Sequence, residues 1–240
     1  MINKIINSIK WRLGYPVTAE LLQLGTDESV IKFYNTRVTD CQFVTDPKHY
    51  EFPRFKWINS IIHGGKLLEI GCGNGGMTEF FSTKVDCLVA MDVSKESLVQ
   101  LDSKKLSNVK TVESLIEDYV SNEKFDWIIM SEVIEHLRNP ENAILKLYHL
   151  LAPNGKFLIT TPNGFWESNE HLQEFTSDSL FGVINKVKPD KIEISYIKDF
   201  NNQRRWLNAI LFKSDTEHLK DDFYDRKKVI ANRKIKLNKK

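Results

Sequence analysis

The sequence predicts an α/β fold with one doubly wound, mostly parallel sheet of seven strands and helices on both faces. Two observations predict it. From about residue 66 onward, short apolar runs of strand length alternate with stretches of helical periodicity, and a glycine-rich turn joins the first run to the first of these stretches. Strands that alternate with helices form parallel βαβ units. Ligands of such sheets bind at the carboxyl ends of the strands.

Each predicted strand is a short run rich in apolar or β-branched residues. The runs are Lys66 to Ile70, Cys87 to Met91, Val109 to Val112, Phe125 to Met130, Lys156 to Thr161, Ile192 to Ile197 and Leu207 to Phe212. The helical period predicts helices over Met77 to Thr83, Lys95 to Lys104, Glu141 to Leu151 and Ser177 to Lys186.

Three regions are predicted along the chain. Residues 1–60 form an N-terminal helical segment that serves as a lid for cofactor and substrate, residues 61–213 form the core, and residues 214–240 form a basic tail. Isoleucines at helical spacing predict an amphipathic helix over residues 1–13.

Composition narrows the class of protein. Hydrophobic residues make up 41% and charged residues 28%, as in a globular protein rather than a disordered or membrane chain. The three cysteines form no paired framework, and no apolar run reaches the roughly 20 residues that span a bilayer. With no signal peptide recognised at the start, these features predict a cytoplasmic location.

The net charge of +2 is unevenly distributed. Residues 226–240 hold eight of the 34 basic residues and no acidic one, which leaves −6 on the rest. A weakly acidic body argues against a nucleic-acid partner. The N-terminal helix and the basic tail leave contact with a membrane surface open, and the oligomeric state is not predicted.

The turn after the first strand, Gly71 to Gly76, has the form of a nucleoside-cofactor loop. Its glycines fit both the GxGxxG spacing of dinucleotide enzymes and the GxGxG spacing of methyltransferases. Glu69, two residues earlier, would repel a pyrophosphate and attract a cation, which favours a cationic cofactor. Asp92 ends the next strand, where a carboxylate accepts hydrogen bonds from ribose hydroxyls in either class.

Four segments, LLEIGCGNGG, AMDVS, FDWIIMSEVIEHL and LLAPNGKFLITTPN, resemble successive motifs of class I (Rossmann-like) S-adenosylmethionine-dependent methyltransferases. The resemblance covers roughly residues 49–180 and is nearest to ubiquinone-pathway and sugar or small-molecule O-methyltransferases. It implies that S-adenosylmethionine is the cofactor. It also implies a set of contact residues: Glu69, Gly71, Gly73, Gly75, Asp92, Val93, Leu115, Ile116 and Ser131.

Arg54 ends the segment HYEFPR, which resembles an aromatic-and-arginine segment of small-molecule members. Its guanidinium could grip the methionine carboxylate of the cofactor with two hydrogen bonds. It could equally be a surface residue on a helix that leads into the first strand, and both readings stay open.

The segment SEVIEHL follows the fourth strand. If it begins a helix, Glu132, Glu135 and His136 project from one face and, with His171, could hold a hard divalent ion such as Mg²⁺. The pattern is similar to the Glu-x-x-Glu-His motif of ubiquinone-pathway O-methyltransferases and small-RNA 2′-O-methyltransferases. Without a metal, His136 or His171 is a candidate general base, although acids that cap a helix and a histidine that fixes a loop would look the same.

The predicted reaction is O-methylation of a hydroxyl on a small molecule or a glycan building block. The fifth strand ends in TTPNG and lacks the Asn/Asp-Pro-Pro-aromatic signature of amino methyltransferases. Two alternatives remain, a metal-assisted RNA 2′-O-methyltransferase and a protein that binds S-adenosylmethionine without catalysis.

Overall fold

The computed structural model describes residues 27–36, 42–166, 168 and 170–214. The predicted helix over residues 1–13 and all of the basic tail except Ser214 lie outside these ranges. None of the helices within them is long and apolar enough to cross a bilayer. The cytoplasmic location stays a prediction.

The described chain contains seven strands and six α-helices. The strands are β1 (Lys66–Ile70), β2 (Cys87–Asp92), β3 (Val109–Glu113), β4 (Phe125–Ser131), β5 (Leu151–Pro162), β6 (Lys191–Lys198) and β7 (Arg204–Phe212). The helices are α1 (Asp27–Asn35), α2 (Phe52–Ile61), α3 (Thr78–Ser82), α4 (Lys95–Ser103), α5 (Pro140–His149) and α6 (Ser177–Asn185). Short 3-10 helices span Gln42–Thr45 and Ile134–His136.

The strands form one sheet in the order β3-β2-β1-β4-β5-β7-β6. The first five strands run parallel, and β7 is antiparallel to both β5 and β6. The prediction of a single, mostly parallel seven-stranded sheet is therefore confirmed. The strand order reverses between β1 and β4, and in sheets of this kind a ligand-binding crevice opens at that point.

Alternate side chains of the strands face two separate apolar cores. In β4, Ile128 and Met130 belong to one core, while Trp127 and Ile129 belong to the other. Helices α5 and α6 cover the first core, and α2, α3 and α4 cover the second. Burial on both faces explains why the strands read as nearly continuous apolar runs.

Polar caps begin three of the helices that surround the sheet, α4, α5 and α6. The Ser97 amide donates to the Ser94 side chain before α4, and Thr176 and Ser179 form a reciprocal capping box before α6. Each bond satisfies an amide that has no partner within its own helix.

Two strands are longer than the sequence predicts. β5 begins at Leu151, two residues after α5 ends at His149, because Leu151 already pairs with Phe125 of β4. β7 begins at Arg204, which pairs with Lys198 of β6. Backbone hydrogen bonding to neighbours sets these ends, and such bonds leave no pattern in side-chain hydrophobicity.

The segment after β4 does not form the helix on which the shared-face prediction depended, so that prediction is wrong. Glu132 has a φ of 56°, and its amide donates to the Thr160 carbonyl at 3.0 Å, which continues the link between β4 and β5. Only Ile134–His136 form a helical turn, of the 3-10 type. Glu132 therefore does not occupy the first position of an α-helical turn.

Replacing Gly71 with alanine tests the contact between the loop after β1 and the end of β4. Gly71 has a φ of 68°, and an added Cβ would lie 2.4 Å from Val133 Cγ2. We expect the free energy of unfolding to fall by roughly 1–3 kcal/mol in urea titrations followed by tryptophan fluorescence.

Gly182→Ala is the matched control, because Gly182 lies within α6 with no atom within 4 Å of an added Cβ. There alanine should stabilise the helix by up to about 1 kcal/mol. Equal effects at the two positions would contradict the role given to Gly71.

Candidate functional site

A cavity of about 780 Å³ opens where β1, β2 and β4 end. Its size is typical of a site that encloses a small-molecule ligand. The loop after β1, the ends of β2 and β3, and the segment after β4 all contribute to its lining. The topology thus divides it into a half beside β1, β2 and β3 and a half beside β4, β5 and β7.

The glycines of the loop after β1 have different roles. Gly71 and Gly73 line the cavity, so their bare backbone is open to a ligand. Gly75 is not among the lining residues. It has a φ of 82°, and an added Cβ would meet Leu101 Cδ1 at 2.4 Å. Its place in the pattern therefore reflects close packing against α4.

Asp92 connects the end of β2 to the glycine loop. Its Oδ2 accepts a hydrogen bond from the Gly73 amide at 2.8 Å, and its Oδ1 accepts one from the Ser94 amide at 2.8 Å. Burial raises the pKa of Asp92, while the hydrogen bonds from these backbone amides oppose the shift. Each carboxylate oxygen has a second lone pair, so this cavity-lining group can still accept hydroxyl donors.

Glu69 lies behind the loop rather than on the cavity wall. It is buried, and its Oε2 accepts a hydrogen bond from Thr78 Oγ1 at 2.7 Å. Its Oε1 has no hydrogen-bond partner in the described part of the chain. Burial raises its pKa to about 7. The predicted attraction to a cation would act across the loop, without direct lining contact.

The remaining predicted cofactor residues also line the cavity. Val93, Leu115 and Ile116 line the half of the cavity beside β2 and β3, and Ser131 lines it at the end of β4. The Leu115 side chain offers only apolar contact there.

Arg54 is buried and bonded inside the cavity wall, not at the surface. Its NH2 group donates to Glu51 Oε2 at 2.6 Å, and its NH1 group donates to Ser131 Oγ at 2.5 Å. Its Nε has no partner among the described residues. Burial opposes its charge, but the carboxylates of Glu132 and Glu51 outweigh that effect and raise its pKa. For Arg54 to bind a cofactor carboxylate with two hydrogen bonds, its present hydrogen bond to Glu51 or to Ser131 would have to break.

Glu132 lies at the end of β4 and lines the cavity. Its Oε1 accepts a hydrogen bond from Thr160 Oγ1 at 3.2 Å. Burial raises its pKa to about 7, although the nearby Arg54 charge lowers it.

Glu135, His136 and His171 form a compact group whose ligand atoms lie within 4.8 Å of one another. Glu135 is buried, and its Oε1 has no hydrogen-bond partner in the described residues. Burial, followed by the charge of Glu132, raises the pKa of Glu135. Burial lowers the pKa of both His136 and His171 to about 4, so both imidazoles are neutral at neutral pH. Glu132, predicted as a fourth ligand, lies outside this group.

Sequence reasoning missed several lining residues that come from distant elements. Val30 and Tyr34 of α1 line the cavity, and the Tyr34 ring lies 6.5 Å from the ring of His136. Trp206 reaches the site from β7 because it pairs with Pro162 at the end of β5. No local motif marks these residues, since only the packing of α1 and β7 brings them to the cavity.

Comparisons with known proteins agree with this fold. A family described as "Methyltransferase domain" matches residues 47–209. The mitochondrial ubiquinone biosynthesis O-methyltransferase of Rattus norvegicus is 29% identical over 150 residues, covering 55% of this chain and 43% of the relative. The ubiquinone biosynthesis O-methyltransferase of Paraburkholderia phymatum is 32% identical over 117 residues, covering 46% and 50%. The chain thus spans about half the length of these curated relatives.

Solved structures share the fold at low sequence identity. The N-methyltransferase NodS from Bradyrhizobium japonicum WM9, in complex with S-adenosyl-L-homocysteine, has a TM-score of 0.61 and 18% identity, covering 76% of this chain and 98% of NodS. The 1,6-didemethyltoxoflavin-N1-methyltransferase of Burkholderia thailandensis has a TM-score of 0.64 and 15% identity, covering 84% and 95%.

The match over residues 47–209 covers more than half of the chain. Together with the sheet order and the glycine loop at the end of β1, it shows that the chain belongs to the class I S-adenosylmethionine-dependent methyltransferases.

Proposed function

We propose that the half of the cavity beside β1, β2 and β3 binds S-adenosylmethionine. The exposed backbone of Gly71 and Gly73 would contact the cofactor, Asp92 would accept hydrogen bonds from its ribose, and Leu115 and Ile116 would flank its adenine. The unpartnered, buried Oε1 of Glu69 fits a cationic cofactor, because a nearby positive charge offsets the cost of a buried carboxylate.

We further propose that the methyl acceptor is a hydroxyl of a small molecule or a glycan building block. The observation that carries this proposal is the set of proton-accepting groups in the half beside β4, β5 and β7, where Glu132, Glu135, His136 and His171 all line the cavity. The sulfonium of S-adenosylmethionine supplies an activated methyl group. A neutral amine attacks it with its own lone pair, whereas a hydroxyl must lose a proton.

The aromatic lining of the site supports a small acceptor. Tyr50 and Trp166 line the cavity, with ring centroids 6.5 Å apart and ring planes 12° apart. In-line placement of an acceptor hydroxyl between such walls lowers the barrier by orientation alone. RNA would require a more open, basic surface, and carboxylates outnumber arginines in the described lining.

The proposed ribose contact is tested with Asp92→Asn. Loss of the charged acceptor should weaken binding of S-adenosylhomocysteine by roughly 10- to 100-fold, because a hydrogen bond to a charged group contributes about 1.5–3 kcal/mol. Isothermal titration calorimetry measures the affinity. Asp178→Asn, an exposed change in the first turn of α6, is the control and should bind normally. An unchanged affinity for Asp92→Asn would place the ribose elsewhere.

The acceptor class is tested by S-adenosylhomocysteine release against matched panels of phenols, sugar hydroxyls, primary amines and a short RNA. We expect turnover with hydroxyl compounds of low molecular mass. Turnover with amines alone or with RNA alone would refute the acceptor assignment. Tight cofactor binding without turnover on any panel would favour the non-catalytic alternative.

A divalent cation is a second candidate for the group formed by Glu135, His136 and His171. The two neutral imidazoles and one buried carboxylate, whose Oε1 lacks a partner, fit a cation that accepts nitrogen ligands, such as Zn²⁺ or Mn²⁺. They fit Mg²⁺ less well, since Mg²⁺ prefers oxygen ligands. A cation held there would polarise the acceptor hydroxyl, while these three residues would orient it.

Equilibrium dialysis of the full chain with Zn²⁺ or Mn²⁺ tests this site. His171→Asn should weaken cation binding by at least about tenfold, the usual scale for disturbing a metal shell. His63→Asn, an exposed residue before β1, is the matched control. Equal affinity for the wild type and the His171 variant would rule the site out. Methyl transfer that is unaffected by a chelator would remove the cation from the reaction.

A further inference from the structure

Glu132 occupies the junction between the two halves of the cavity. The residue after it, Val133, packs so closely on Gly71 that an added Cβ there would lie 2.4 Å from Val133 Cγ2. Gly71 belongs to the glycine loop, and Ser131 ends β4. The acceptor half contains Glu132, Glu135, His136 and His171. Of these four, Glu132 is adjacent in sequence to Val133, the residue that contacts the glycine loop.

The backbone at Glu132 is held in an unfavourable conformation. A glutamate with a φ of 56° lies in the left-handed region, which costs a non-glycine residue on the order of 1–3 kcal/mol. The hydrogen bond from the Glu132 amide to the Thr160 carbonyl holds the backbone in this conformation. Strain of this kind is tolerated where the surrounding structure holds it and is concentrated at functional sites. In this conformation Glu132 lines the cavity instead of continuing β4.

The carboxylate of Glu132 is oriented by groups from two other elements. Thr160 of β5 donates to its Oε1, and the indole of Trp206 in β7 also donates to it. The charged groups that face it are Arg54 and Glu51, from α2 and the residue before it, and Glu135. Arg54 forms its ion pair with Glu51, at 2.6 Å, and not with Glu132. The Glu132 carboxylate is therefore not held in a salt bridge by Arg54.

The two histidines are placed differently. His136 Nδ1 lies 3.1 Å from the Glu170 carbonyl, and its ring contacts His171 at a centroid distance of 5.0 Å. Both imidazoles thus belong to the group around Glu135, which the 3-10 turn and His171 form together. Glu132, in contrast, lies outside that group and lines the cavity next to Val133, the residue that packs on the glycine loop.

We propose that Glu132 is the general base of the methyl transfer, in place of either histidine. The proposal rests on the proposed hydroxyl acceptor. The Glu132 carboxylate takes the hydroxyl proton and becomes a carboxylic acid. The acceptor oxygen forms a bond to the methyl carbon while the carbon–sulfur bond breaks, and its electron pair goes to sulfur. The products are a methyl ether, neutral S-adenosylhomocysteine sulfur and protonated Glu132, so charge and atoms balance.

The test compares the wild type with Glu132→Gln, using a hydroxyl acceptor that the panel has shown to turn over. Glutamine keeps the size of the side chain but cannot take a proton, so kcat should fall by roughly 10²- to 10⁴-fold. The affinity for S-adenosylhomocysteine, measured by calorimetry, should stay within about twofold, because only the proton acceptor is changed. Glu96→Gln, an exposed change in the first turn of α4, should retain wild-type kcat.

The pH profile separates a base from a structural residue. Glu132 acts only when ionised, so wild-type kcat should rise with pH through an apparent pKa near 7 and level off above it. The Gln variant should lack that rise. Thr160→Val removes a hydrogen bond to the ionised carboxylate, so it should move the midpoint to higher pH. This variant still tests the proposal if Glu132→Gln does not fold.

Three outcomes are distinguishable. If the wild type turns over no hydroxyl acceptor, the proposed function is wrong and the general-base role, which depends on a hydroxyl acceptor, is wrong with it. If the wild type is active and Glu132→Gln retains kcat within about threefold, or keeps the same pH profile, the general-base role is refuted. If His136→Gln alone abolishes the rise with pH, a histidine is the base and the proposal is wrong.

Discussion

The close approach of two strand ends is the constraint on which the rest of the site depends. Because Gly71 has no Cβ, the loop after β1 can pack directly on Val133, at the point where the strand order reverses. Beside that contact, Gly71 and Gly73 line the cavity. The contact brings the segment after β4 to the edge of the same loop. A side chain at Gly71 would separate the two halves of the site.

Buried charge is concentrated at this same end of the sheet. Glu69, Glu135 and Arg54 are buried, and each retains an atom without a hydrogen-bond partner in the described chain. An unsatisfied buried polar atom costs about 1–3 kcal/mol, so such atoms are uncommon where they serve only to stabilise a fold. Arg54 and Glu135 line the cavity and Glu69 lies behind its glycine loop, the arrangement expected of residues that complete their interactions with a ligand.

The fold was largely predictable, since strands covered on both faces are nearly continuous apolar runs. The bounds predicted for β1 agree with the structure, and the central strands agree to within one residue at each end except at the start of β5. The early start of β5 and the polar start of β7 were not predicted. Backbone bonds to neighbouring strands decide these positions, and such bonds leave no pattern in side-chain hydrophobicity.

The sequence by itself determined the sheet, the glycine loop and the place of Asp92 beside it. All of these follow from residues adjacent along the chain, where period and turn chemistry act locally. Only the tertiary structure decided the other half of the site. It removed Glu132 from the predicted ligand group, joined Glu135 and His136 to His171, and brought α1 and β7 to the cavity. The reason is physical. The spacing of Glu132, Glu135 and His136 suggests a helix, but the hydrogen bond from the Glu132 amide to Thr160 of β5 holds Glu132 in a left-handed conformation, and no helix begins there.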